Sequence, residues 1–184
     1  MPIEEDGRGT YIFNSKDLNM LAYLKELENA GVCSFKIEGR MKSGYYLATV
    51  INAYRRAMDG EELSASKQEL LAVAHREYTQ AYMLGENGET VNYEDSQSRG
   101  DYIYIADVLG AEKGYIKAEM RNRFKQDELL EVLSPDGNFT KTFVADEIYD
   151  SQGERVDDAK RVQEIYTIKC PYELHAGDYL RRRV

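Results

Sequence analysis

Apolar residues recur every three to four positions up to about residue 84 and every second position from about residue 102, so two kinds of architecture must share this chain. Between them lies GENGETVNYEDSQSRG, residues 85–100, with three glycines, many polar side chains and little periodic apolar content. That composition marks a linker and the best domain boundary. The expected class is therefore α+β and multi-domain, with residues 1–84, a linker over 85–100, and residues 101–184 as separate parts.

In the first part, residues 11–13 suit a short strand. Leu18, Leu21, Leu24 and Leu27 predict a helix over residues 15–29 with one buried face. Asn14 and Asp17 resemble its capping box, and Ser15 is an alternative cap. After a Gly31 turn, residues 32–37 are short, apolar and rich in β-favouring side chains, as in the strand of a βα repeat. Lys36 lies within that strand and Glu38, Arg40 and Lys42 follow it, where α/β proteins place ligands and catalytic groups. An ordinary charged loop before a helix fits the same residues. Leu47, Val50, Ile51, Tyr54 and Ala57 form the apolar stripe of a helix over 43–58 that Gly60 ends. Ser66 and Glu69 form a second capping box, opening a helix with Leu70, Leu71, Ala74, Tyr78 and Ala81. Tyr78 and Tyr82 would be i,i+4 neighbours on it, packed in a core or free to stack on a base.

The second part contains six segments with strand alternation, at residues 102–109, 115–120, 128–133, 139–149, 162–168 and 179–182. Short strands separated by Gly, Asn and Asp turns predict a small antiparallel β-barrel or sandwich. Continued alternation over residues 120–125 would put Arg121, Arg123 and Lys125 on one side, able to follow a phosphate backbone or simply to face solvent.

Charge and cysteine content narrow the partners. Lys and Arg number 24 against 33 Asp and Glu, for a net charge of -9. Indiscriminate binding to nucleic acid or anionic membrane is disfavoured, whereas a local basic patch is allowed. No apolar run approaches the roughly 20 residues of a membrane span. Cys33 and Cys170 fall in different parts; Cys33 is expected to be a small buried hydrophobe in its strand. His75 and His175 are far apart in sequence, so spacing gives no metal site.

GTYIFNSKDL at residues 9–18 and AGVCSFKIEGRMKSGYYLATVINAYRRAMD at residues 30–59 closely resemble the collagenase-like peptidase family of unassigned catalytic type, which includes tRNA and ribosomal RNA hydroxylases. RNRFKQDELLEVLSPDG at residues 121–137 and the ending HAGDYLRR resemble the same family's C-terminal barrel. The resemblance implies a larger protein whose (β/α) barrel carries a cysteine-ligated iron–sulfur cluster and which forms 5-hydroxyuridine in tRNA using prephenate. It also implies that residues 1–84 are the C-terminal part of that barrel and that the chain starts inside it. Two positions depart from the pattern. Asn19 stands where many relatives have a cysteine ligand, and amide oxygen is a poor substitute for thiolate at such a cluster. Gln126-Asp127 stands where Gly-Asp is common.

The expectations are therefore a C-terminal portion of a tRNA-modifying hydroxylase, inactive by itself, with catalytic bets on Lys36, Glu38, Arg40 and Lys42. Arg40 would clamp a carboxylate or phosphate through its planar fork, with Glu38 orienting it. RNA contact is assigned to Arg121, Arg123 and Lys125. No metal or cofactor is assigned to these residues, the cluster and prephenate belonging to the whole protein. A collagenase-like peptidase and a non-catalytic RNA- or protein-docking module are the alternatives; HExxH and GxSxG are absent from the sequence. The compartment expected is the cytoplasm. Open strand edges in residues 1–84 predict self-association through that part.

Overall fold

The computed structural model describes residues 3–7, 9–12, 14–85, 90–92 and 100–184. The chain divides into two compact units, Met1–Gly100 and Asp101–Val184. Most of the expected linker over 85–100 lies outside the described residues.

In the first unit, β1 (Ile3–Asp6) and β2 (Gly9–Ile12) form an antiparallel hairpin. Residue 13, the end of the strand expected at 11–13, is outside the described set. Two-residue strands follow. β3 (Asn14–Ser15) pairs antiparallel with β6 (Val91–Asn92), and β4 (Asp17–Leu18) pairs parallel with β5 (Tyr78–Thr79). The helix expected from residue 15 therefore starts later, with a 3₁₀ turn at Leu21–Tyr23 running into α1 (Leu24–Asn29). Its start is set by Asn19, whose Oδ1 accepts from the Leu21 backbone N–H at 3.0 Å. Leu21 and Leu24 are buried, while Leu18 points outward from β4.

Residues 32–39, expected to hold the central strand, form no ladder, and Cys33 is exposed rather than buried. A strand of a parallel barrel is hydrogen-bonded on both sides. Among the described residues, 32–37 have no such neighbour, and β-propensity without a partner does not make a strand.

α2 (Gly44–Met58) begins where expected, with Ser43 Oγ accepting from the Tyr46 N–H at 3.2 Å. Gly60, at φ +88°, supplies the left-handed turn after its end. The buried face is Tyr45, Thr49, Val50 and Ala53, whereas Ile51 is exposed. Thr49 can be buried because its hydroxyl donates to the Tyr45 carbonyl at 2.9 Å. α3 (Leu63–Ala72) starts at Leu63, so Ser66 and Glu69 lie within it and are buried instead of capping it. It stops at Ala72, and Tyr78 stands in β5 with no i,i+4 relation to Tyr82 on a helix. Gly100 passes close to this end. A Cβ there would lie 2.5 Å from the Val73 carbonyl carbon and 2.7 Å from the Ala74 nitrogen, so backbone excludes any side chain.

The second unit is the legible one. Its strands are β7 (Tyr102–Glu112), β8 (Tyr115–Met120), β9 (Phe124–Lys125), β10 (Leu129–Leu133), β11 (Thr142–Val144), β12 (Ile148–Tyr149), β13 (Arg155–Val156), β14 (Asp158–Ala159), β15 (Ile165–Lys169) and β16 (Tyr179–Arg183). Eight of them make one antiparallel sheet in the order β11-β10-β16-β7-β8-β15-β12-β13. β9 and β14 pair separately. The sheet curls into a half-barrel and does not close, because the ladder ends on β11 and β13, strands of three and two residues. Lys113 and Gly114, both at positive φ, turn the β7–β8 hairpin.

Alternation fills the concave side. Ile116, Ala118 and Met120 of β8 are buried, as are Tyr166 and Ile168 of β15, packed with Phe124, Leu130, Val132, Ile148 and Leu180. Each full burial of such a side chain contributes about 1.5–3 kcal/mol. Arg181 is the exception in this core at 1% exposure. Its Nε and Nη2 donate to Glu131 Oε1 at 2.9 and 2.5 Å, and its guanidinium stacks 4.4 Å from the Tyr102 ring.

Candidate functional site

The segment singled out from sequence joins α1 to α2 and ends in a tight turn, with Lys42 N–H donating to Gly39 O at 2.9 Å. Lys36 and Glu38 form a 2.6 Å ion pair on the surface, both side chains largely exposed. The Glu38 hydrogen bond and charge hold the Lys36 ammonium above its ordinary value. Glu38 thus partners Lys36 in place of the expected Arg40. Arg40 and Met41 lie at the exposed tip, Met41 at 92%. Lys42 turns inward: its Nζ donates to Ala74 O at 3.2 Å and sits 4.7 Å from the Tyr46 ring centroid. Of the four residues, Lys36 and Glu38 form a surface pair, Arg40 is exposed at the tip, and Lys42 ties the loop to Ala74, just past α3.

That tie leads to a polar cluster missed in sequence. Asp17 Oδ1 accepts from Arg76 Nε at 3.0 Å and Nη2 at 2.7 Å, while Oδ2 accepts the Arg76 backbone N–H at 3.1 Å. Three tyrosines gather beside it. Tyr54 OH donates to Asn19 Oδ1 at 3.1 Å and accepts from the Met20 N–H at 3.2 Å. Tyr78 OH donates to Leu70 O at 2.9 Å, and its ring stacks on His75 with 4.2 Å between centroids. Burial first, then the Asp17 charge, pushes the Tyr46 phenol up; burial is also the main cause for Tyr54 and for the larger rise at Tyr78. These phenols are hydrogen-bond donors at neutral pH. Asp17 and Arg76 are 59 residues apart, and the β4–β5 pairing brings them together.

In the second unit, Arg121, Arg123 and Lys125 do not share a strand face. The chain turns after Met120, with Arg121 and Asn122 N–H groups both donating to Ile105 O. Arg121 reaches Asp107 at 2.7 Å and Glu119 at 3.1 Å, beside the Tyr104 hydroxyl that also bonds Asp107. Arg123 instead forks onto Asp158, Nε to Oδ1 at 2.9 Å and Nη2 to Oδ2 at 2.7 Å. Lys125 is exposed and lies opposite Asp158 in the β9–β14 ladder.

The described residues do not fit an iron–sulfur cluster. No group of three His, Cys, Asp or Glu among them is placed to hold a metal. Cys33 is exposed in the first unit, and Cys170 is buried in the second with its thiol pushed up by burial. Asn19 is engaged by Tyr54 and Leu21.

Two family models match in tandem. Residues 2–93, half the chain, match peptidase family U32, and residues 100–181 match the peptidase family U32 C-terminal domain. The chain belongs to peptidase family U32. Among curated U32-like relatives, tRNA hydroxylation protein P of Escherichia coli is 37% identical over 158 residues, covering 82% of this chain and 34% of that protein. A collagenase of Porphyromonas gingivalis is 30% identical over 112 residues, covering 56% of this chain and 27% of that protein. The chain thus spans about a third or less of the length of these relatives. Among solved structures, the C-terminal domain of a Geobacillus thermoleovorans U32 peptidase aligns with a TM-score of 0.41 at 24% identity, over 44% of this chain and 99% of that one. Among the described residues, no helix is long and apolar enough to cross a membrane.

Proposed function

We propose that this U32 chain is the C-terminal portion of a cytoplasmic tRNA hydroxylation protein that forms 5-hydroxyuridine in a prephenate-dependent reaction. The observation that carries the proposal is the 37% identity to tRNA hydroxylation protein P across 82% of the chain, in both units. On this reading residues 1–84 complete a (β/α) barrel formed mainly by other residues of the whole protein. The iron–sulfur cluster and the prephenate site then belong to the whole protein, and no step of the reaction is derived through these residues.

The exposed loop has a role compatible with that reading. Arg40 offers a planar fork at its tip to a carboxylate or an RNA phosphate. The Lys36–Glu38 pair flanks it, and Lys42 holds the loop against Ala74. In the second unit Arg121, Arg123 and Lys125 are proposed RNA contacts, with the two arginines pre-oriented by carboxylates.

The collagenase relative supports a second reading, peptide hydrolysis. The geometry of the described histidines does not favour it. His75 Nδ1 lies 2.7 Å from the Arg76 carbonyl oxygen, and His175 Nδ1 lies 3.5 Å from exposed Asp136. Neither arrangement is a nucleophile–base pair. Non-catalytic docking through the second unit is a third reading. Deleting the gene and assaying 5-hydroxyuridine in tRNA alongside gelatin digestion separates them. Loss of the nucleoside with unchanged digestion is expected; the reverse pattern would replace the proposal with the peptidase reading.

A further inference from the structure

β9 and β14 place a polar cleft on the second unit that the RNA contacts named above only border. Its volume is about 520 Å³, a size suited to a nucleotide-scale ligand, and Gln126, Arg155, Asp158, Lys160, Arg161 and Tyr166 are among its lining residues. Phe124 and Ala159 are opposite each other and buried, so their neighbours Lys125 and Asp158 face outward together. Arg123 holds both oxygens of Asp158. The charges of Arg123, Lys160 and Lys125 all act on that carboxylate and help to hold it below its ordinary value. Three cations therefore surround one carboxylate.

Other carboxylates of the cleft have internal duties. Asp150 accepts the Gln152 and Glu154 N–H groups of the β12–β13 turn at 2.9 and 3.0 Å. Glu164 accepts from Ser151 Oγ at 2.6 Å and Tyr166 OH at 2.7 Å, with Arg161 at 3.4 Å. Asp157 also lines the cleft. Lys125 and Lys160 are exposed, and among the described residues neither side-chain ammonium has a hydrogen-bond or ion-pair partner within contact distance. In and beside the cleft Arg123, Lys125, Arg155, Lys160 and Arg161 stand with Asp150, Asp157, Asp158 and Glu164, so on a chain of net charge -9 the cations here match or slightly outnumber the carboxylates and a polyanion is not repelled from it.

We infer that this cleft is an RNA phosphodiester-binding groove, with Lys160 in its lining and Lys125 on its border as the principal contacts and Asp158 fixing Arg123 beside them. Tyr166 is 2% exposed and is not available to stack on a base, so the contact is to backbone and carries no sequence preference. The inference rests on the tRNA reading above, but the two fail separately.

The test is fluorescence anisotropy of labelled, unfractionated bacterial tRNA with the full chain, from about 50 to about 300 mM salt. Replacing both lysines, Lys125→Gln with Lys160→Gln, is expected to make the slope of log affinity against log salt shallower by about 1.4 to 1.8, the value for two lost phosphate contacts. Lys67→Gln with Lys117→Gln makes the same change of charge elsewhere on the surface and is expected to leave the slope unchanged. Thermal melts coincident with wild type are expected for both double variants, because all four side chains are exposed. A slope equally changed by both pairs, or unchanged by the first, would remove the cleft and leave the tRNA reading standing. Binding of an acidic peptide without binding of tRNA would also overturn the inference. Hydroxylation is decided independently by the nucleoside assay.

Discussion

Asp17 and Arg76, 59 residues apart in the first unit, are joined by three hydrogen bonds, two from the guanidinium and one from the Arg76 backbone N–H. The pair fastens the parallel β4–β5 contact, and it explains why Asp17 does not serve as a helix cap. Asp17→Asn is expected to destabilise the first unit by about 1–2 kcal/mol, the value for charge-assisted bonds discounted for partial exposure. Urea denaturation followed by a first-unit probe measures it. A change below about 0.3 kcal/mol would show that β4 and β5 are held by other contacts.

The contrast between the units explains what was legible in the sequence. In the second unit, period-two patterning met turn residues at the right intervals, and each strand found an adjacent antiparallel partner. Tyr115–Met120 emerged with its expected limits, and the other segments moved by a few residues or, at 139–149, split in two. In the first unit, two-residue ladders link Ser15 to Val91 and Asp17 to Tyr78, pairings that no local pattern encodes. The leucine period located α1 but not its start, because Asn19 begins the turn and β4 removes Leu18. Of the candidate site, the exposed Lys36–Arg40 tip was visible, whereas the Asp17–Arg76 cluster depends on distant pairing.

Arg181 and Glu131 provide the corresponding test in the second unit. Arg181→Met leaves Glu131, only 15% exposed, without its cation. The expected cost is about 3–5 kcal/mol. Adding Glu131→Leu to that variant is expected to recover much of the loss, because the buried carboxylate is removed as well. Double-mutant analysis by equilibrium unfolding measures the coupling. Additive losses would show that the pair does not act as one buried unit.

Acid should weaken the same unit. Asp136 is held below its ordinary value by the Asn138 N–H and Ser134 hydroxyl, Glu147 by Lys169 and Tyr115, and Glu164 by Ser151 and Tyr166. Carboxyls with depressed folded-state values stabilise the fold above their ordinary values of 3.8 and 4.5 and lose that contribution as pH falls through the folded values. Thermal unfolding from about pH 6 down to about pH 3 is expected to show a falling Tm that begins below about pH 4.5. Lys169→Met should flatten part of that decline. A Tm that rises on acidification would contradict the assignment.

Leu18, Met41, Tyr82, Met83 and Leu84 are exposed apolar side chains of the first unit. Self-association through residues 1–84 is accordingly expected, although Leu24 is buried and its substitution by Asp would damage the fold before any interface. Tyr82→Ser with Leu84→Ser should weaken association by about tenfold or more, if one buried apolar side chain contributes about 1.5–3 kcal/mol. Light scattering coupled to size exclusion over a concentration series reads this directly. A wild-type chain that stays monomeric throughout would contradict it.

The proposed hydroxylation of tRNA is tested most directly by nucleoside mass spectrometry of tRNA from a strain lacking this gene. 5-Hydroxyuridine is expected to fall to background and to return when the intact gene is restored on a plasmid. An unchanged 5-hydroxyuridine level in the deletion strain, with no second U32 gene present to supply it, would contradict the account.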